Sequence, residues 1–166
     1  SFFCEHPVYK TVSNLAVARM ACDDVLGIDM SVENIIEDQK KDLALLFGEQ
    51  NKMIISASPK IFISKVEDLT FERINNSRVF TSNLISLMNK FINARLDKFL
   101  PAKIIIINSI FTDIWPKGNF LYLDHMQTLL NFEKTVNLEL ADYKIEVKNF
   151  KCGPINTAFQ ISENGF

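Results

Sequence analysis

The stretch KIIII, residues Lys103–Ile107, decides what fold the sequence predicts. Its four isoleucines follow one another without the alternation of apolar and polar residues that marks a strand with one face in water. Continuous apolar runs of this length are typical of strands that are covered on both faces. We therefore expect Lys103–Ile107 to be a strand at the centre of a sheet.

Three longer segments carry apolar residues at helical spacing and are predicted to be helices. They are residues 11–26, 31–47 and 82–100. The third segment has the widest apolar face, which indicates a helix lying across a sheet, and Pro101 ends it. A shorter fourth helix is expected to begin at Asp124, because an Asp followed three residues later by a Gln has the spacing of a capping box.

Short runs rich in β-forming residues flank these helices. Residues 52–57 and 60–66 are expected to pair with each other, since only a short turn separates them. From Val136 onward, apolar residues recur at every second position, which predicts further strands joined by short turns. Strands joined by short loops must be antiparallel. The sequence thus predicts a single α+β domain over residues 1–166, with three or four helices packed on a mainly antiparallel sheet in a single pair of layers.

The charge balance argues against a polyanionic partner. The 166 residues include 18 basic and 20 acidic side chains, which gives a net charge of -2. Without a local basic patch there is no field to hold a nucleic acid. Such a patch would require five basic residues to converge on one face of the fold: Lys52, Lys60, Lys90, Arg95 and Lys98.

The apolar runs are too short to cross a bilayer, because charged or polar residues interrupt them within a few positions. No signal peptide is recognisable at the start of the sequence, and the three cysteines cannot all pair within one chain. A reducing, cytoplasmic setting without a membrane partner is therefore expected.

No motif for a nucleotide or a metal is recognisable. The five glycines are isolated from one another, so the sequence contains neither G-x-G-x-x-G nor a Walker loop. The run Lys103–Ile107 continues into Asn108 and Ser109 without a glycine, which argues against a Rossmann fold and against a dinucleotide cofactor. The nearest approach to a metal site, Cys4 with His6, is too loose to predict a bound metal.

Catalytic residues are not predicted either. His125 directly follows Asp124, but neighbours on a helix point in different directions. Asp124 is therefore interpreted as a helix cap and not as the group that orients a catalytic imidazole. The acidic pair Asp23 and Asp24 is interpreted as a solvated helix end.

The segment that follows the central strand is the predicted binding surface. Asp113, Trp115 and Lys117 lie in a turn-prone segment that holds the only Trp of the sequence, and an aromatic residue on a loop can anchor a partner. The 14 Phe residues are more than a core of this size readily hides, which favours a protein partner or a homo-oligomer. The leading hypothesis is a non-catalytic interaction or regulatory domain that acts through a protein-binding surface.

A second hypothesis comes from a different class. The chain is then a small enzyme or ligand-binding domain whose pocket is assembled from polar residues far apart in the sequence: Asp23, Asp24, Asp113 and His125. Converging polar groups would favour this hypothesis, whereas a flat apolar patch would favour the partner surface.

Overall fold

The fold is known from a computed structural model, which describes residues 30, 32, 36, 43, 47, 50–56 and 65–153. These residues contain three strands: β1 is Lys52–Ile55, β2 is Ala102–Ser109 and β3 is Ile145–Cys152. The strands form one sheet in the order β1-β2-β3, and both pairs are parallel. The expected central position of the isoleucine run is confirmed, because β2 contains it.

The prediction of a mainly antiparallel sheet is wrong. A long helix separates each strand from the next, as parallel pairing requires. Helix α1, Phe71–Leu96, lies between β1 and β2, whereas a one-turn helix α2, Phe111–Ile114, and a long helix α3, Phe120–Glu139, lie between β2 and β3. Val136 and Leu138, whose spacing of two predicts a strand, belong to α3. The short turns that would impose antiparallel pairing are therefore missing from this part of the chain.

Helix α1 begins well before the predicted start at residue 82. Thr70 caps it, because its Oγ1 accepts a hydrogen bond from the backbone N–H of Arg73 at 3.3 Å. Residues 75–77 lie inside the helix although Asn and Ser favour turns. From Ser77 onward one side of the helix is buried, so packing overrides the local preference of these residues.

Helix α3 also begins earlier than the sequence predicts. Its N-cap is Asn119, and Asp124 is an exposed residue inside the helix whose carbonyl accepts a hydrogen bond from Thr128 at 2.7 Å. The capping-box prediction is therefore wrong. The first turn of α3 buries Leu121 and Leu123, and this packing extends the helix towards its N-terminus.

The two long helices cover one face of the sheet. On β2 this face consists of buried Ala102, Ile104, Ile106 and Asn108, and helical side chains such as Phe91 and Leu129 belong to the same buried cluster as its isoleucines. The opposite face is more open than the isoleucine run suggests. On that face Ile54 of β1 is 66% exposed and Phe150 of β3 is 50% exposed. The central strand is therefore fully buried on one face only.

Part of the predicted second helix, 31–47, is described. Ile36, Leu43 and Phe47 are helical and buried, and the ring centroid of Phe47 lies 5.5 Å from that of Phe91 in an edge-to-face arrangement. Three other predictions fall on residues that the structure does not describe and stay predictions: the helix at 11–26, the body of the strand at 60–66 and the last strand beyond residue 153.

The backbone of β3 has an outer edge that faces away from β2. The N–H of Ala102 donates to the carbonyl of Lys144 at 3.2 Å, and the N–H of Ile110 donates to the carbonyl of Cys152 at 3.0 Å. Even-numbered residues of β3 therefore bond to β2, and the backbone groups of Val147 point outward. The same alternation places the backbone N–H of residue 149 at the outer edge.

Two side chains of α3 bond to these outward groups. Asn137 accepts from the N–H of Val147 and donates to its carbonyl, both at 2.8 Å. Glu133 accepts from the N–H of Asn149 at 3.2 Å. Four helical residues rise about 6 Å and two strand residues about 6.6 Å, so the two spacings match. Side chains of α3 thus satisfy part of the backbone edge of β3 that faces away from β2.

Replacing Asn137 by alanine should lower the free energy of unfolding by about 1–3 kcal/mol, because the buried backbone groups of Val147 lose their partner. Urea denaturation followed by circular dichroism measures this change. Asn131→Ala, at an exposed position of the same helix, is the matched control and should change the free energy by less than about 0.5 kcal/mol. Equal effects of the two variants would show that Asn137 does not stabilise the edge.

Candidate functional site

Two hydroxyl side chains meet at one edge of the sheet. Because the strands are parallel, their carboxyl ends lie along this edge, which is where open parallel sheets bind ligands. Ser109 is the last residue of β2, and Tyr122 lies in the first turn of α3. The Ser109 hydroxyl lies near enough to the Tyr122 phenol to lower the pKa of the phenol through hydrogen bonding. The pair is therefore the candidate site.

A hydrogen bond with Ser109 lowers the pKa of the Tyr122 phenol, because the serine hydroxyl can donate to the phenolate oxygen. Ser109 Oγ in turn accepts a hydrogen bond from the backbone N–H of Phe111 at 3.2 Å.

Burial sets the protonation state of Tyr122. Burial raises the pKa of the phenol above its ordinary value of 10.0, and this effect outweighs the opposing hydrogen bond from Ser109. No cation among the described residues contributes to the shift. The residue one helical turn further along α3, where a side chain could reach Tyr122, is Met126, and it carries no charge that could lower the pKa. Tyr122 therefore keeps its proton at neutral pH and is a neutral hydrogen-bond donor.

The turn after β2 holds Ser109 in place. The backbone N–H of Ser109 donates to Asn108 Oδ1 at 2.7 Å, and its carbonyl accepts a hydrogen bond from Thr112 Oγ1 at 2.9 Å. The ring of Phe111 lies edge-on to that of Tyr122, with 6.3 Å between the ring centroids. Helix α2 therefore contacts both members of the pair.

The predicted binding surface lies in the same connection between β2 and α3. The Asp113 carboxylate pairs with the Lys151 ammonium at 2.5 Å. Trp115 is 59% exposed and has a left-handed backbone conformation with φ 48°, and Lys117 is exposed. Nothing in the structure tests whether these side chains bind a partner. The surface and the expected protein partner or homo-oligomer stay predictions.

The polar residues of the alternative pocket have separate environments. Asp113 is exposed, whereas His125 is buried and its Nδ1 lies 2.9 Å from Thr81 Oγ1. The threonine hydroxyl donates to a backbone carbonyl of α1, so it accepts a hydrogen bond from the Nδ1–H of His125. His125 is thus a core residue that joins α3 to α1. Asp23 and Asp24 lie outside the described residues.

Other expectations about partners concern basic, metal-binding and membrane-spanning features. Arg95 is buried and donates to the carbonyl of Pro101 at 3.3 Å, so it cannot join an exposed basic patch. Lys60 lies outside the described residues.

In the part of the chain that the structure describes, no group of three or more His, Cys, Asp or Glu could hold a metal. None of the helices described is both long and apolar enough to cross a membrane.

Sequence reasoning missed both Ser109 and Tyr122. The end of a central strand indicates ligand contact only when the neighbouring strands are parallel, and the predicted sheet was antiparallel. The late predicted start of α3 also left Tyr122 outside the helix. A hydroxyl residue that ends a buried strand, followed within one short connection by a helix with a tyrosine in its first turn, is the signal that would have located the pair.

Comparison by sequence gives no match to a family model and none to a curated protein. Comparison by structure gives close matches. A 4-hydroxyisoleucine dehydrogenase mutant complexed with NADH and succinate is 16% identical, with a TM-score of 0.81 over 97% of this chain and 65% of that structure. A short chain dehydrogenase/reductase family protein is 12% identical, with a TM-score of 0.80 over 98% of this chain and 67% of that structure. Acetoin dehydrogenase from Enterobacter cloacae is 15% identical, with a TM-score of 0.79 over 98% and 66%.

These similarities show the fold. The chain has the Rossmann-like architecture of these dehydrogenases and spans about two thirds of the length of each of the three. The sequence argument against a Rossmann fold is wrong, because the glycine fingerprint identifies one strand-to-helix turn and does not test the direction of the other strands. The hypothesis of a non-catalytic interaction or regulatory domain is overturned by the same neighbours.

Ser109→Ala should raise the pKa of Tyr122 further, because it removes the hydroxyl group that stabilises the phenolate. The ultraviolet absorbance of tyrosinate during an alkaline titration measures this shift, and Tyr122→Phe identifies the contribution of Tyr122 among the three tyrosines. Ser82→Ala, at an exposed position of α1, is the control and should leave the titration unchanged. A pKa of Tyr122 that stays constant or falls in Ser109→Ala would contradict the assigned hydrogen bond.

Proposed function

We propose that this chain is a ligand-binding domain of the dehydrogenase type, which binds a nicotinamide cofactor and, beside it, a small molecule with a carbonyl or alcohol group. The hydroxyl of Tyr122 donates a hydrogen bond to the oxygen of that small molecule. The observation that carries the proposal is the Ser109–Tyr122 pair at the carboxyl end of a parallel sheet. The dehydrogenases with the same fold, one of them complexed with NADH, support it.

The state of Tyr122 suits a carbonyl or alcohol oxygen. With a ligand oxygen bound, the phenol can direct its proton to that oxygen while the Ser109 hydroxyl bonds to the phenolic oxygen. The raised pKa keeps this proton in place at neutral pH. A neutral donor in a half-buried position stabilises partial negative charge on a ligand oxygen better than water does.

The residues at this edge fit the reactive end of a nicotinamide cofactor. Gly153 follows β3, and a Cβ atom added there would meet no described atom within 4 Å, which suits the approach of a ligand to the backbone. The register of β2 with β3 brings Cys152 opposite Ser109, so this opening lies next to the hydroxyl pair. When bound, such a cofactor supplies or accepts a hydride. No G-x-G-x-x-G is present to hold the phosphates, so the proposal assigns no residue to them.

A second candidate function is reduction of the bound carbonyl compound. The protonated state of Tyr122 favours it, because reduction needs a proton at the carbonyl oxygen. In that step the carbonyl carbon would receive a hydride from the bound cofactor. The O–H bond of Tyr122 breaks, its proton goes to the substrate oxygen, and Ser109 stabilises the phenolate that remains. Since no described cation lowers the pKa of the phenol, proton transfer at neutral pH is expected to be slow.

A reducing, cytoplasmic setting is part of the proposal. Cys152, the cysteine among the described residues, is a free thiol. It lies at the end of β3, next to the proposed ligand site, and a free thiol there fits a reducing compartment.

Isothermal titration calorimetry with NADH, and then with acetoin in the presence of NADH, tests the proposed function. We expect NADH to bind the wild-type chain and Tyr122→Phe to weaken the binding of acetoin up to about tenfold, since one hydrogen bond of about 1 kcal/mol is lost. NADH affinity should change by less than about twofold. Consumption of NADH in the same mixture measures whether the carbonyl compound is also reduced.

The control for this experiment is Tyr143→Phe, which removes the hydroxyl group of a half-exposed tyrosine in the one-turn helix Ala141–Tyr143. It should bind both compounds as the wild type does. If neither NADH nor NADPH binds, the cofactor part of the proposal is wrong. If Tyr122→Phe binds small ketones and alcohols as well as the wild type does, the role given to Tyr122 is wrong.

A further inference from the structure

We propose that Asn108, Asn149 and Glu133 are positioning residues, which hold the first turn of α3 in register with the end of β2 so that Tyr122 meets Ser109. The inference deepens the proposed function, because it concerns the same hydroxyl pair. It rests on a continuous set of hydrogen bonds that joins β2, β3 and α3.

Asn108 bonds to the backbone of both elements that form the site, β2 and α3. Its Oδ1 accepts the N–H of Ser109 at 2.7 Å, and its Nδ2 donates to the carbonyl of Met126 at 3.1 Å. Ser109 is one member of the hydroxyl pair, and Met126 lies one helical turn beyond the other member, Tyr122. A single buried side chain therefore fixes the distance between the strand end and the helix at the site.

Asn149 continues the set from β3. Its Oδ1 accepts the second Nδ2 hydrogen of Asn108 at 2.8 Å. Its own Nδ2 donates to Glu133 Oε2 at 2.8 Å and to the carbonyl of Leu129 at 3.3 Å. The other carboxylate oxygen of Glu133 accepts the backbone N–H of Asn149 at 3.2 Å. The strands thus bond to three successive places on α3, at residues 126, 129 and 133.

Every donor of the two amide groups is used, so each amide has one orientation that satisfies it. If α3 shifted along the sheet by one residue, about 1.5 Å, several of these bonds would break together. Apolar side chains at the same positions could fill the space but would permit such a shift, because hydrophobic contact is not directional. This directionality is the physical reason for assigning a positioning role to the three residues.

A double-variant titration separates positioning from general stabilisation. The quantity measured is the change that Ser109→Ala makes in the pKa of Tyr122, read from tyrosinate absorbance. The change is measured in the wild-type background and in two network backgrounds, Asn149→Ala and Glu133→Ala. Asn137→Ala is the matched control background, since Asn137 also bonds α3 to β3 but lies far along the helix from Tyr122.

We expect Ser109→Ala to raise the pKa of Tyr122 equally in the wild-type and Asn137→Ala backgrounds. In both network backgrounds the rise should fall to less than about half, because Ser109 and Tyr122 are no longer held together. Comparison within each background cancels the direct effect of the lost Glu133 charge. Glu133→Ala, at a half-buried position of the helix, keeps the test available if Asn149→Ala does not fold.

An equal rise in all four backgrounds would overturn the proposal, and so would the absence of a rise in the wild type, since there would then be no register to hold. This measurement contains no cofactor. If NADH does not bind while the titration behaves as expected, the positioning role stands and the proposed function fails. If NADH and acetoin bind as proposed while the titration shows no coupling, the positioning role alone is wrong.

Discussion

Parallel pairing of β2 with β1 and with β3 is the constraint on which the rest of the described structure depends. Parallel strands must be joined by crossovers, so α1 and α3 lie between them and cover one face of the sheet. The same pairing puts the carboxyl ends of all three strands at one edge. Because α3 begins shortly after β2 ends, a residue of its first turn, Tyr122, reaches the last residue of the strand, Ser109.

Polar bonds, and not apolar packing alone, align α3 with the sheet. The buried isoleucines of β2 and the buried leucines of the helices drive association but leave its register loosely specified. Asn137 and Glu133 bond to the outer backbone edge of β3, and Asn108 and Asn149 bond to carbonyls of α3. A buried polar group without a partner destabilises the fold, so each of these bonds favours one alignment over its neighbours. The alignment that results is the one that brings the two hydroxyl groups together.

The sequence predicted the central strand and the presence of long helices, because a run of isoleucines and a wide apolar face are local signals. It did not predict the direction of the strands, since Val136 fits a period of two with Leu138 and also the helical spacing that follows Leu129 and Phe132. The direction of the strands depends on which of the two periods is chosen. The starts of α1 and α3 were missed because burial of Ser77 and Leu121 overrides turn and cap preferences. The hydroxyl pair was missed because both of these features decide it. Ser109 and Tyr122 meet only when β2 is parallel to its neighbours and α3 begins before Tyr122. Asp113, Trp115 and Lys117 lie in and just after the one-turn helix α2, whose conformation the turn-prone sequence does not specify.

The central claim is that the proton of Tyr122 faces a ligand at the carboxyl edge of the sheet. The most direct test is the nuclear magnetic resonance spectrum of the chain with carbon-labelled tyrosine rings, recorded during addition of NADH and then of acetoin. Tyr122→Phe assigns the resonance of Tyr122 among the three tyrosines. The account predicts that the Tyr122 resonance shifts on addition while that of Tyr143 stays in place. A Tyr122 resonance that does not move while the compounds bind would contradict it.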